Sequence, residues 1–388
     1  MTDVAAAHTD LPDATAAGQA LGAEIAATYG GEAPQAVILF ASSRYDYPAL
    51  LQAVFDTCHP GLLVGCSSAG EFTDDANSAG AACALALRSS TMQFAAGVGR
   101  GLRADRAGAA RELVASFQGL RAPRYPHRAA LLLTDALAGQ TEDLLEHLTV
   151  LTGGTYRFFG GGAGDDARFQ RTHVFCGHEA IPDAVVGLEI LSSRPIGIGV
   201  GHGWEPASPG MRVTEAAGSQ LYSLNAVPAA EVFEEHAEAT GQVFDSQDPL
   251  PFFLHNVLGI VSEGQHKLRV PLGVGADESI ACAADVPPGA TAHIMRTSAS
   301  STVDAAARAT RAALAQLQGH PAKAALFFDC AATRLRLGQG FGTELRAVEE
   351  TLGPVSFAGC NTYGQIARAD GQFSGFHNCT AVVCVLPD

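Results

Sequence analysis

The sequence predicts a mixed α/β protein with mixed sheets, and two observations lead there. An apolar strand-like run, an amphipathic helical stretch and a second strand-like run follow one another three times along the chain. Each second strand-like run ends in a turn of small residues before a further apolar strand. Strand–helix–strand order implies parallel neighbours with a crossover helix, and the strand after each turn is expected to add an antiparallel partner.

The first copy begins with "AVILFASS" (36–43), a buried strand. In "YPALLQAVFDTCHPG" the residues Leu50, Leu51, Val54, Phe55 and Cys58 share a helical face, and "LLVGCSSAGEF" and "AACALAL" (81–87) complete the unit. The second copy runs "AALLLTDA", "TEDLLEHLTVLTGG", "RFFGGGAGDDARFQRTHVF" and "AVVGLEIL". Its helix is expected to use Thr141 as N-cap and to stop at Gly153. The third copy reads "AALFFDCA", "FGTELRAVEETLGP", "VSFAGCNTYGQI" and "CTAVVCVL", with Gly353-Pro354 ending the helix. Residues 196–300 differ, with short β-like runs and the helical "PAAEVFEEHAEATG". The expectation is therefore two related halves, 30–210 and 211–388, behind a flexible tail at 1–29.

Composition narrows the function. The chain has 388 residues, enough for two domains, with 47% hydrophobic residues to build cores. A net charge of −16 makes nucleic acid and anionic membrane surfaces poor partners. The first basic residue is Arg44, which fits neither a secretory nor an Arg-rich transit leader, and no apolar run approaches a membrane span. Nine cysteines without a CxxC pair read as reduced, buried thiols, and the expected location is cytoplasmic.

The turns carry the candidate chemistry, because strands that end in glycine-rich turns are where open α/β sheets bind ligands. "GCSSAGE" (65–71) matches "GCNTYGQ" (359–365), while "GGGAGDD" (160–166) has no cysteine. The 359–365 copy is favoured as the ligand site, since Asn361, Tyr363 and Gln365 add directional polar groups around Cys360 and Gly364. The alternative is that these residues only make the turn. Cys66 and Cys360 read as small buried fillers rather than nucleophiles, since no spacing pairs them with a base and "GCSSAG" is not G-x-S-x-G. "HVFCGH" offers His173, Cys176 and His178 to a metal but no second ligand group at zinc-type spacing. "GGGAGDD" lacks the Lys of a P-loop, and no G-x-G-x-x-G stands in a dinucleotide-binding context. "GVGHGWEP" (199–206) sets His202 between glycines beside Trp204, and "GFHNCT" (375–380) sets His377 and Asn378 before the last strand. Each reads either as a ligand contact or as a satisfied histidine in a turn.

These motifs together resemble FIST-domain proteins. In the N-terminal region the resemblance rests on "VILFASSRYDYPALLQAV", "GCSSAGEF", "GGGAGDDARFQRTHVF" and "GIGVGHGWEP", and in the C-terminal region on "FAGCNTYGQI" and "FHNCT". The C-terminal turn of the family commonly ends Tyr-Gly-Glu, where this chain has Gln365. The resemblance implies a ligand-binding sensory protein and not an enzyme, with amino acids among the ligands proposed for such domains. It also extends to stand-alone haem-binding nitric-oxide sensors that act on a separate histidine kinase or cyclic-di-GMP enzyme. On that comparison His202 and His377 are candidate axial ligands of a haem b, held non-covalently because no C-x-x-C-H is present. Cys360, Asn361, Tyr363, Gly364, Gln365, Asn378 and Trp204 are the expected ligand contacts. Alternatives are a sensor of an amino acid or similar small polar ligand, and a cysteine-dependent enzyme using Cys66 or Cys360. Assembly as a homodimer stays open.

Overall fold

The computed structural model describes residues 1–121, 124–262, 264–368 and 375–388. Among them the recurring unit is longer than the sequence pattern alone: strand, helix, strand, helix, strand, hairpin, strand. Unit 1 comprises an edge strand (Thr2–Thr9), a helix (Ala14–Thr28), a central strand (Ala36–Ser42), a crossover helix (Tyr47–Cys58) and a turn strand (Leu63–Ser68). A hairpin (Glu71–Thr73 with Asn77–Ser78) and a return strand (Ala82–Ser89) complete it. Unit 2 repeats the order from Met92 to Ser192 and unit 3 from Gly197 to Pro387. The N-terminal residues expected to form a flexible tail are thus structural. The alternating pattern of Thr2–Thr9 buries one face as it pairs with the return strand, and Asp13 caps the following helix by accepting from the Ala16 N–H.

The crossover helices follow the predicted faces except at the end of the second, where Leu151, which the spacing places beside Leu144, Leu145 and Leu148, is exposed, and the cap of that helix also differs. Thr141 is the first helical residue and Gln140 occupies the cap position without a side-chain cap bond. Gly353 ends the third-unit helix at φ 68°, as its Gly-Pro signal predicts. An insertion between the edge strand of unit 3 (Gly197–Gly201) and its first helix (Ala299–Ala315) explains the irregular 196–300 segment. It folds into a nine-stranded antiparallel sheet with a helix at Ala229–Thr240. The boundary expected near 210 falls inside it, between the strands Trp204–Pro206 and Met211–Ala217.

Each unit builds a six-stranded mixed sheet, and each gives its hairpin away. The turn strand of unit 1 pairs with the hairpin of unit 2 (Cys66 opposite Val174). That of unit 2 pairs with the hairpin of unit 3 (Gly161 opposite Gln365), and that of unit 3 with the hairpin of unit 1 (Cys360 opposite Glu71). The exchange is cyclic, so the three units are interlocked. Their inner faces share one core containing Phe40, Cys66, Leu131, Phe159, Phe328 and Cys360, and helices cover the outer faces.

Candidate functional site

The three glycine-rich turns meet at the hub of this exchange and are stitched together by backbone bonds. Ala69 N donates to Asn361 O (2.9 Å), Tyr363 N to Gly162 O (2.9 Å) and Gly164 N to Ser67 O (2.9 Å), so each turn is held by its neighbours. Gly364, at φ 94°, adopts a conformation that side chains disfavour, and a Cβ there would lie 2.1 Å from the Phe376 ring.

Units 1 and 3 brace the hub with the same construction. Glu71 accepts from the Ser68 hydroxyl and from the Ala81 N–H at 3.0 Å. At the matching place Gln365 donates to Thr362 Oγ1 (2.9 Å) and accepts from the Thr380 N–H (3.3 Å). Burial pushes the Glu71 carboxyl up to about 7, against the hydrogen bonds it accepts. Gln365 supplies the shape of Glu71 without its titratable group.

Ser42 and Cys330 end the central strands of units 1 and 3 at the same register, opposite Ser68 and Thr362. After Cys330 the chain enters a short helix, Ala331–Leu337, with a cleft on either side. The larger cleft, about 560 Å³, is lined by Ala69, Asn77, Asp166, Arg334 and Phe341 among others. Arg334 is half-buried, donates to the side-chain carbonyls of Asn77 (3.0 Å) and Asn361 (3.1 Å), and lies over the Phe341 ring. Among the described residues it forms no ion pair. On the facing wall Asp166 accepts from the Ser42 hydroxyl and the Ser43 N–H, both at 2.9 Å and both through Oδ2.

The smaller cleft, about 80 Å³, lies between units 2 and 3 and the insertion. Leu137, Leu272, Cys330, Tyr363, Gly364 and Asn378 are among its walls, and among the described residues no Asp, Glu, Lys, Arg or His lines it. By the space a single water needs, it holds roughly five to eight non-hydrogen atoms. A wider concavity of about 820 Å³ belongs wholly to the insertion and carries Glu231, Glu234, Asp245 and Glu278.

The sequence-predicted residues separate between these places. Tyr363, Gly364 and Asn378 line the smaller cleft. Tyr363 also bonds to Asp165 and stacks on Phe169 at 4.3 Å. Asn361 is buried and steadies Arg334 at the larger cleft. Gln365 is a brace. Cys360 is enclosed in the shared core facing Cys66 and Cys83, where burial holds its thiol well above the usual range. Trp204 packs in a cluster with Val270, Met295, Cys330 and Cys379, beneath the Arg336 guanidinium. Of the histidines in "HVFCGH", His178 stacks on Phe55 and His173 packs against Tyr47.

His202 and His377 come close enough to influence each other, and neither fits haem ligation in this arrangement. His202 Nδ1 accepts from the Trp204 N–H (3.2 Å) and Nε2 donates to the His266 carbonyl (3.1 Å), so both ring nitrogens are engaged. Burial lowers His202 to about 4. His377 has no exposed surface, and burial depresses it well below the usual histidine range. The cleft lined by the neighbouring Asn378 has no room for a porphyrin.

Arg334 and Cys330 lie outside the sequence reading, Arg334 in "ATRLRL" beyond the repeated pattern, whereas "GGGAGDD" offers Asp165 and Asp166 without showing which cleft they face. Cys330 could have been found by aligning the ends of the central strands, where Ser42 is its counterpart.

This geometry defines a protein with a braced hub and ligand-sized clefts. The family comparison is decisive about its class: the chain belongs to the FIST family, matching the FIST N domain over residues 35–227 and the FIST C domain over 229–368. FIST domains are small-ligand sensory domains of signalling proteins. No curated protein sequence matches the chain. Among solved structures, cyanuric acid hydrolase from A. caulinodans aligns with 8% identity, 100% of this chain, 99% of that chain and a TM-score of 0.29. PurLQS from Thermotoga maritima aligns with 12% identity, 100% of this chain, 72% of that chain and a TM-score of 0.23. Likeness that low carries no argument about fold or function. No helix among the described residues is long and apolar enough to cross a membrane.

Proposed function

We propose that the protein is a sensor of a small zwitterion of the amino-acid class, bound in the larger cleft beside the helix Ala331–Leu337. The observation that carries this reading is Arg334, a half-buried guanidinium held by neutral carbonyls, across a cleft from the carboxylate of Asp166. A guanidinium in that state favours a carboxylate, which it can meet with two parallel bonds. An ammonium group placed towards Asp166 would complete a zwitterion. The walls come from units 1 and 3, with Asp166 from unit 2, so an occupant would touch all three interlocked units. The signal is proposed to pass to a separate cytoplasmic partner, a histidine kinase or cyclic-di-GMP enzyme.

Thermal unfolding in the presence of individual amino acids tests this, since a ligand bound only by the folded state raises stability by mass action. A stabilising amino acid should lose its effect in Arg334→Gln. In Asp166→Asn it should do no better than the matching simple carboxylate. An undiminished shift in Arg334→Gln would overturn the reading.

Haem-dependent nitric-oxide sensing is the second reading, favoured by the approach of His202 and His377 from distant parts of the chain. It requires His202 to release Trp204 or His266 and the structure around the buried His377 to open enough to admit a porphyrin. A Soret band in protein from haem-replete cells, lost in His202→Ala, would support it over the zwitterion.

A further inference from the structure

Cys330 lines a cleft and packs in one buried cluster with a second cysteine, Cys379. It ends the central strand of unit 3 and forms part of the wall of the smaller cleft, with Cys379 behind it. The two belong to one packed cluster with Trp204 and Val270. Cys379 comes from the turn before the return strand and has a φ of 48°, unusual for a residue with a side chain. The Cys379 thiol, the backbone N–H groups of Cys379 and Ala332, and the Gln365 side-chain amide lie near enough to the Cys330 sulfur to favour its ionised form. Led by the Cys379 thiol, they hold the Cys330 thiol down to about 6 against the burial that opposes ionisation. Cys379 moves the other way, raised by its bond to Cys330 and by burial. The ionisable groups facing the pair are Arg336 and Asp329, and burial and the neighbouring Glu344 push Asp329 far above the usual carboxylate range.

We propose that Cys330 and Cys379 form a peroxide-reactive dithiol, with Cys330 as the attacking thiolate, Cys379 as the resolving thiol, and hydrogen peroxide or a small alkyl hydroperoxide as the oxidant. In the first step the Cys330 sulfur attacks a peroxide oxygen. An S–O bond forms, the O–O bond breaks, and the departing alkoxide or hydroxide takes a proton to leave as alcohol or water. In the second, Cys379 gives up its proton and attacks the Cys330 sulfenic acid. An S–S bond forms and the S–O bond breaks, releasing water. Two electrons pass from the thiols to the peroxide. Cleft size and lining select the oxidant, since room for about five to eight non-hydrogen atoms, with the Cys330 thiolate as the one charge on the described walls, suits a small neutral hydroperoxide. The site is separate from the zwitterion cleft, although the helix after Cys330 carries Arg334.

Reduced full-length protein treated with hydrogen peroxide, followed by non-reducing peptide mass spectrometry, tests the proposal directly. A Cys330–Cys379 linked peptide is expected. In Cys379→Ser the reaction should stop at a sulfenic acid on Cys330 that dimedone captures, and in Cys330→Ser the Cys379 thiol should persist. Thermal melts establish that the serine variants fold. Tert-butyl hydroperoxide, within the size range, should react about tenfold faster than cumene hydroperoxide, which exceeds it. Gln365→Glu should slow the reaction about tenfold at neutral pH by replacing a donor with an anion. Oxidation of the half-buried Cys176 ahead of Cys330, no linked peptide, or indifference to hydroperoxide size would overturn the proposal. These readouts follow thiols, so they stand or fall apart from amino-acid binding.

Discussion

Units 1 and 3 share one scaffold and differ in what it holds. In unit 1 the strand end is Ser42, and the hub is braced by a carboxyl, Glu71. In unit 3 the strand end is Cys330, and the brace is an amide, Gln365, which donates to Thr362 and favours the ionised form of the nearby cysteine. A carboxylate at 365 would repel a thiolate that the amide supports. The comparison teaches that Gln365, expected as a ligand contact, is a brace whose amide accompanies a change at the strand end.

The largest expected effect tests whether the scaffolds are equivalent. A Cβ on Gly359 would stand 1.9 Å from the Phe327 carbonyl oxygen, and one on Gly65 1.9 Å from that of Leu39. Gly359→Ala and Gly65→Ala should each cost about 3 kcal/mol in urea denaturation. Tolerance of one and not the other would break the equivalence.

Slightly smaller is the effect of exchanging the brace in unit 1. The Glu71 carboxyl is raised by burial from 4.5 to about 7, so folding takes up a proton between those values. Its destabilising contribution is absent below about pH 4.5, grows as pH rises to about 7 and then levels off. Glu71→Gln, which copies Gln365, should match the parent at pH 4 and exceed its stability at pH 8 by up to about 3 kcal/mol. Equal pH–stability profiles would show that the carboxyl is not held neutral by burial.

The smallest effect concerns the stitch between turns. Tyr363→Phe removes a bond to Asp165, whose carboxylate still accepts from the backbone of Phe169, Gln170 and Arg171. Chemical denaturation should show a loss of about 1 kcal/mol. A much larger loss would place Tyr363 among the braces of the hub.

Much of the fold was legible because the repeat imposes the same local choices three times. Most of the helical face formed by Leu144, Leu145 and Leu148 and the stop at Gly353 could be read directly, while Leu151, at the same spacing, is exposed at the helix end. The hairpin exchange could not, because Cys66 meets Val174 and Cys360 meets Glu71 only through pairing between distant segments. The edge strand Thr2–Thr9 was hidden by its Ala- and Thr-rich composition, which gains its meaning only beside Ala82–Ser89. At the site, the glycine-rich turns pointed to the hub, but their polar residues mostly face inward. Arg334 and Cys330, which line the two clefts, lie outside the turns: Cys330 is the last residue of a central strand and Arg334 belongs to the helix that follows it.

The central claim is that the larger cleft binds a small zwitterion through Arg334. Isothermal titration calorimetry of the full-length protein with the amino acid that most raises its melting temperature tests this most directly. The account predicts saturable binding by the parent protein and a loss of at least tenfold in affinity for Arg334→Gln, with the variant's fold intact. Equal affinity in the two proteins would contradict it.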